Sequence, residues 1–258
     1  MHMKKIVYLL PVLLLVCSCD WFKLDNQDGW DASIEGKIVD SVTGETIQSE
    51  QGNPLSVYEL GWDNKVAQSW AIKNNGTYKN TLVFAGDYEM NSLAANFYAE
   101  PVKFTVKKGN NVQDFKVTPY LRISNVNISY DASAKKINAT CTVEPGFPSD
   151  KVNNIGSVVL CVYPDRFVRQ SANYCSKDPG ASKSNLSPEK QTVSLSVDTQ
   201  LAANAQEFQY NRPHYIRIAA IGGHYKSGKL DNTFNQGYYN YSPVYKLENG
   251  TVTEVTDW

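Results

Sequence analysis

A two-residue alternation of apolar and polar side chains, in short segments broken by turn residues, constrains this chain more than any other feature. Ile34, Gly36 and Ile38 alternate with Ser33, Glu35 and Lys37, which describes a strand with one buried face. A turn follows at Asp40-Ser41-Val42-Thr43-Gly44, and Val57 and Leu60 belong to a strand ending near Gly61-Trp62-Asp63-Asn64. Val66, Trp70 and Ile72 share one face of a strand leading to Asn74-Asn75-Gly76, a tight hairpin signal. Tyr78, Leu82 and Phe84 carry the return, Ala85-Gly86-Asp87 turns it, and Tyr88 and Met90 begin another strand. Val102, Phe104 and Val106 alternate with lysine and threonine, and Lys108-Gly109-Asn110-Asn111 reads as a turn before a strand through Phe115 and Val117. About seven strands in under roughly a hundred residues is the rhythm of a β-sandwich.

Thr118-Pro119 interrupts the pattern, and a boundary there separates residues 32–118 from 119–258, because proline gives no N–H to a central ladder. A second sandwich reads onward: Val126, Ile128 and Tyr130 on one face, a turn at 131–134, then Ile137, Ala139, Cys141 and Val143. Ser157 to Tyr163 is almost continuously apolar, as in a central strand covered on both faces. The polar excursion from Pro164 to Lys190 is expected to be a mobile loop. Val193, Leu195 and Val197 alternate, as do Tyr215, Arg217, Ala219 and Ile221, and 238–245 and 251–255 supply closing strands. No amphipathic helix is evident. The expected fold is all-β, with two tandem β-sandwich domains.

The N-terminus has a different character. Lys4 and Lys5 precede an apolar stretch from Ile6 to Val16, the anatomy of a secretory signal. The stretch is short and contains Pro11, which argues against a membrane-spanning helix. Val16-Cys17-Ser18-Cys19 resembles a bacterial lipobox, with an aliphatic residue three before the cysteine and a small one just before it. The resemblance implies cleavage after residue 18 and a lipid on Cys19, each buried CH₂ contributing roughly 0.8 kcal/mol of membrane attachment. Cys17 competes, with Leu14 three residues upstream, but Val16 is bulkier than Ser18 at the cleavage position. The alternative is an ordinary secreted protein cleaved near Ser18. Residues 19–31 then form a tether, in which Asp20, Asp25 and Asp28 resemble the surface-export signals of glycan-degrading Gram-negative gut bacteria. That resemblance favours the outer face of the outer membrane.

About 240 residues would follow the cleavage, enough for one large domain or two small ones. A net charge of -1 supplies no basic field, so nucleic acid is not an expected partner. Sixteen tyrosines stand against nine phenylalanines, a bias that suits strands and surfaces that bind while staying soluble. Beyond the signal are Cys141, Cys161 and Cys175. An odd number permits one disulfide with one free thiol, or three free thiols. Cys161 and Cys175 flank a loop, while Cys141 shares the alternation of Ile137 and Val143. Buried structural thiols are the favoured reading. His214 and His224 are isolated and no CxxC occurs in the mature chain, so neither a metal nor another cofactor is expected.

Catalysis needs a converging acid, base and nucleophile, or a metal cage. The paired carboxylates Asp20/Asp25 and Glu45/Glu50 fall in tether or turn regions, where solvated charge is the simpler account. Gly222-Gly223 precedes no helix N-terminus and is not a phosphate loop. No enzyme is expected.

Carbohydrate binding asks for less: exposed rings for the C–H faces of sugars, with amides and acids for their hydroxyls, in loops at a sandwich end. Trp62 beside Asp63-Asn64 fits, and so does the loop carrying Tyr225, Asp231, Asn232, Phe234 and Asn235, with His224, Lys226 and Gln236 nearby. Trp70 reads as core. Tyr238, Tyr239 and Tyr241 read as strand packing, and Trp21-Phe22 as residents of the membrane interface. For Trp62 and Tyr225, platform and packing both remain open.

Ile34-Glu35-Gly36-Lys37-Ile38-Val39-Asp40 with Thr43-Gly44-Glu45, then Gly76-Thr77-Tyr78 and Phe84-Ala85-Gly86-Asp87-Tyr88, resembles the carboxypeptidase-regulatory or prealbumin-like β-sandwich. A longer polar linker at 48–55, followed by Tyr58-Glu59-Leu60-Gly61-Trp62, and Tyr238-Tyr239-Asn240-Tyr241-Ser242 near the end, is similar to a narrower family. Its members are two-domain lipoproteins of unknown function, encoded beside glycan uptake systems of the starch-utilisation (Sus) type, with an immunoglobulin-like second domain. The resemblance implies a surface accessory protein that holds an oligosaccharide or polysaccharide near an outer-membrane transporter and a SusD-like binding protein. A structural or protein-interaction role is the alternative. The family carries no established catalytic or binding motif.

Overall fold

The computed structural model describes residues 29–50, 52–92, 95–147, 154–222 and 238–258. The first nine strands are β1 (Ala32–Asp40), β2 (Asn53–Glu59), β3 (Ala67–Ile72), β4 (Thr77–Val83), β5 (Gly86–Asn91), β6 (Phe97–Tyr98), β7 (Val102–Val106), β8 (Gly109–Val112) and β9 (Phe115–Pro119). They follow the order β6-β9-β1-β4-β3-β2-β5-β7, with β8 also pairing β1. A single residue pair, Ile72↔Tyr78, joins β3 to β4.

That core is aromatic. The Trp70 ring lies 6.0 Å from Tyr78, 5.9 Å from Tyr88 and 6.1 Å from Phe104, and Phe115 packs 5.3 Å from Phe104. Buried tyrosine and tryptophan need partners for their polar tips. Tyr78 Oη donates to the Gln113 carbonyl at 2.6 Å, Tyr88 Oη to the Phe84 carbonyl at 2.9 Å, and Trp70 Nε1 to Gln68 Oε1 at 3.1 Å. Gly36 is required because a Cβ there would stand 1.8 Å from the Gln113 carbonyl oxygen. Gly76 closes the expected hairpin at φ +75°, a left-handed conformation that glycine adopts without steric cost.

Three expectations in this half are corrected. Lys108–Asn111 is not simply a turn: Gly109–Val112 is β8, paired in parallel with β1. Leu82 is exposed and Val83 buried, because a register shift between Ala32 and Ile34 in the β1–β4 ladder moves the alternation by one residue. Val66 does not share the buried face of Trp70 and Ile72; it precedes β3 and is exposed.

The chain passes from β9 through Tyr120 directly into β10 (Leu121–Asp131), followed by β11 (Lys136–Pro145), β12 (Ile155–Tyr163), β13 (Ser182–Leu186) and β14 (Gln191–Asp198). A helical turn, α1 (Ala205–Phe208), precedes β15 (His214–Gly222), β16 (Asn240–Tyr241), β17 (Tyr245–Glu248) and β18 (Thr251–Glu254). One sheet runs β10-β11-β14 and the other β13-β12-β15-β17-β18, with β16 on β15. Ile137, Ala139, Cys141 and Val143 from the first meet Val158, Leu160, Val162, Ile216 and Ile218 from the second. On the reverse face Cys161 and Ala219 pack with Val168, Tyr241 and Val244. Strand β12 is therefore covered on both sides, as its apolar run implies. The architecture is all-β, as expected from the alternation.

The polar excursion from 164 to 190 is built in, contrary to expectation. Val168 and Cys175 are fully buried, Tyr174 N donates to the Val162 carbonyl at 2.9 Å, and the segment contains a 3-10 turn and β13. Its apolar anchors are single residues inside polar surroundings, so no periodicity announces them. The three thiols are free and buried, consistent with the structural reading of the cysteines.

Candidate ligand-binding surfaces

Trp62 lies in the β2–β3 connection. Gly61 before it takes φ +99°, a conformation suited to glycine, and the reversal leaves the indole 63% exposed. Glu59, Trp62, Asp63, Asn64, Val66 and Gln68 line a surface hollow of about 520 Å³. Gln68 Nε2 donates to Glu59 Oε2 at 3.5 Å, and Gln68 Oε1 accepts from Trp70 Nε1, so the amide is held from two directions. Trp62 is absent from the aromatic core cluster. This is an apolar ring face beside carboxylate and amide groups, on the connection of the β2–β3 hairpin.

Cys19, Tyr225, Asp231, Asn232, Phe234 and Asn235 lie outside the described residues, as do His224, Lys226 and Gln236. Of the proposed binding residues, only Trp62 has a described position. Trp70 is core, 2% exposed.

Sequence reasoning missed a second concavity, of about 590 Å³, at one end of the second sandwich. Its floor is the end of β14, α1 and the start of β15; its rims are the β10–β11 turn and the β17–β18 turn. Asn204, fully buried, anchors the floor. Its Nδ2 donates to Asp178 Oδ2 at 2.9 Å and to the Asp198 carbonyl at 2.8 Å. Asp178 Oδ1 in turn accepts from Gly180 N at 2.9 Å. On the wall, the Arg212 guanidinium lies 5.3 Å from the Tyr210 ring and 5.9 Å from the Tyr174 ring. Phe208 packs 4.6 Å from the His214 ring. Burial, and then the Arg212 charge, lower the His214 pKa, so the imidazole is held neutral. The run Gln206 to Arg212 just before Pro213, with Phe208 and Tyr210 among polar residues, was the available signal, but it has no strand alternation and reads as an ordinary connection.

Polar ties also link the two halves of the chain. Arg122 Nη2 donates to Asp40 Oδ1 at 3.0 Å, and Arg122 Nε to Asp40 Oδ2 at 2.5 Å. Burial works to raise the Asp40 pKa, but the Arg122 bonds, the Val42 N–H and the Arg122 charge outweigh it and hold the carboxyl below its ordinary value. Asn96 Nδ2 donates to the carbonyls of Gln48 and Tyr239, and Asn240 Nδ2 returns a bond to the Asn96 carbonyl at 2.9 Å. Among the described residues no group of His, Cys, Asp and Glu is arranged to hold a metal ion. No helix among them is long and apolar enough to cross a membrane.

Fold and surface together define a β-sandwich protein with an exposed ring platform. Residues 32–118 match the family model described as "Protein of unknown function (DUF3823) N-terminal domain". A Bacteroides uniformis structure is 28% identical and superposes with a TM-score of 0.67, covering 88% of this chain and 100% of its own. That protein is described as a "putative carbohydrate binding protein". A DUF3823 family protein from Parabacteroides merdae shares the fold at 20% identity, TM-score 0.65, over 86% of this chain and 100% of its own. Another from Bacteroides ovatus does so at 21% identity, TM-score 0.60, over 83% and 97%. No curated protein matches the chain.

Proposed function

We propose that this protein is a non-catalytic, glycan-binding accessory lipoprotein, anchored through Cys19 in the outer membrane and facing the cell exterior. It serves a Sus-type polysaccharide uptake system, holding oligosaccharide near the transporter and a SusD-like binding protein. The observation that carries the reading is Trp62, 63% exposed over a hollow lined by Glu59, Asp63, Asn64 and Gln68. An indole that packs against no core is a ready face for the C–H side of a sugar, and the flanking groups match hydroxyls. The carbohydrate-binding name of the Bacteroides uniformis relative supports it, and the lipobox-like start supports the address.

Calorimetry and affinity electrophoresis against a polysaccharide panel test the reading. At least one glycan should bind, and Trp62→Ala should weaken it about tenfold or more. No retention by any glycan, together with co-purification of a transporter, would favour the spacer or protein-interaction reading. The polar ties between the two halves suit such a stiff spacer. For the anchor, Cys19→Ala should abolish metabolic labelling by a palmitate analogue; retained labelling would move the lipid elsewhere.

A further inference from the structure

The cleft at the end of the second sandwich has an uneven charge. Lys135, Arg212 and His214 line it, and no aspartate or glutamate does, although the whole chain has a net charge of -1. Glu207, on the adjoining helical turn, forms an ion pair with Arg212 Nη2 at 3.4 Å. Arg212 Nε is sealed from solvent and makes no hydrogen bond, and His214, 5% exposed, has a sealed Nδ1 with none either. Unsatisfied buried polar groups are costly and call for an explanation. Around these two side chains stand Tyr210, 58% exposed, and the amides of Gln200, Gln209 and Asn249. The rim is fixed, because Asn249 and Gly250 take φ 51° and 79°, the geometry of a tight hairpin turn.

We infer that this cleft binds an acidic saccharide, with the sugar carboxylate on Arg212, a ring face on Tyr210 and hydroxyls on the amides. A guanidinium offers a planar fork matched to a carboxylate. An exposed phenol ring beside amides suits a pyranose, and a volume of about 590 Å³ falls in the range of small-molecule sites. The site is separate from the Trp62 hollow, and its occupancy does not depend on that reading.

The test is calorimetry on the full soluble chain with three probes: an oligogalacturonate, the same oligomer with its carboxyls reduced to alcohols, and a dextran sulfate oligomer. The oligogalacturonate should bind at least about tenfold tighter than its reduced form. Arg212→Lys, which keeps the charge but loses the fork, and Arg212→Gln should both remove that preference. Tyr210→Ala should weaken binding of the oligogalacturonate. Lys183→Ala, at an exposed position on β13, should leave it unchanged. Equal affinity for the acidic and reduced oligomers overturns the inference, as does an unaltered preference in both Arg212 variants. Tighter binding of dextran sulfate than of oligogalacturonate would also overturn the carboxylate assignment.

Discussion

The Arg217 guanidinium lies 4.3 Å from the centroid of the Tyr241 ring, and this pair ties together stretches far apart in sequence. Arg217, fully buried, donates to the carbonyls of Ser242 at 2.7 Å, Ser49 at 2.8 Å and Asn74 at 3.0 Å. Tyr241 Oη donates to Glu50 Oε2 at 3.2 Å. Burial lowers the arginine pKa to about 10, which still leaves it charged at neutral pH. A buried cation without a bonded carboxylate is unusual; here carbonyl dipoles and a ring face do the solvating.

Removing the guanidinium takes the donor from three carbonyls at once. Arg217→Met should cost about 3–5 kcal/mol, as for a broken buried charge network. Because Ser49 and Asn74 belong to the first half and Ser242 to the second, denaturation should also split into two transitions. Urea melts read by fluorescence and circular dichroism check both points. A loss below about 1 kcal/mol would mean that the bonds do not hold the halves together.

The two tryptophans Trp62 and Trp70 should respond oppositely. Trp70→Ala opens a cavity among Tyr78, Tyr88 and Phe104, and should cost about 3–5 kcal/mol. Trp62→Ala removes an exposed ring, and should change stability by no more than about 0.5 kcal/mol. Denaturant midpoints decide, and a large loss at Trp62 would mean that its ring packs after all.

The thiols should be unreactive in the native state. Burial pushes Cys141 up to about 11, and Cys161 and Cys175 to about 12, so little thiolate forms near neutral pH. Iodoacetamide labelling followed by peptide mass analysis should modify none of the three until denaturant is added. Rapid native labelling at Cys175 would show that the segment around it opens.

Most of the strand layout was legible because alternation reports directly which face is buried. Ile34, Ile38, Trp70, Tyr78, Ile137, Val143 and Val197 all fall where it puts them. It failed where one residue slipped, as at Leu82, since a bulge inverts every side chain beyond it. It also failed where burial is achieved by isolated anchors, as at Val168 and Cys175. The end cleft was hidden for a related reason: Lys135, Arg212 and Asn249 are far apart in sequence and are brought together only by the packing of the two sheets. Arg217 was read as part of a simple alternation with Tyr215, Ala219 and Ile221, whereas β15 is buried on both faces and Ile216, Ile218 and Ala220 face the sandwich core; nothing local to it signals that carbonyls from the first half complete its shell.

His214 supplies the pH-dependent case. Burial first, and the neighbouring Arg212 charge second, hold its pKa below the ordinary 6.5. Phe208 covers one side of the ring, and Leu247 is its partner across β17, so neither contributes a compensating charge. On acidification the unfolded chain takes up a proton near 6.5 while the folded chain resists, so the unfolded state binds more protons. Stability from this group is therefore complete above its unfolded pKa and falls as the pH drops towards the folded value. Asp31, Asp40 and Asp131, whose pKa values are also lowered, lose stability at lower pH, but they do so equally in wild type and variant. His214→Gln should therefore give a flatter stability profile than wild type between about pH 7 and 5. Urea midpoints across that range measure it, and parallel profiles would show that His214 titrates as it does in the unfolded chain.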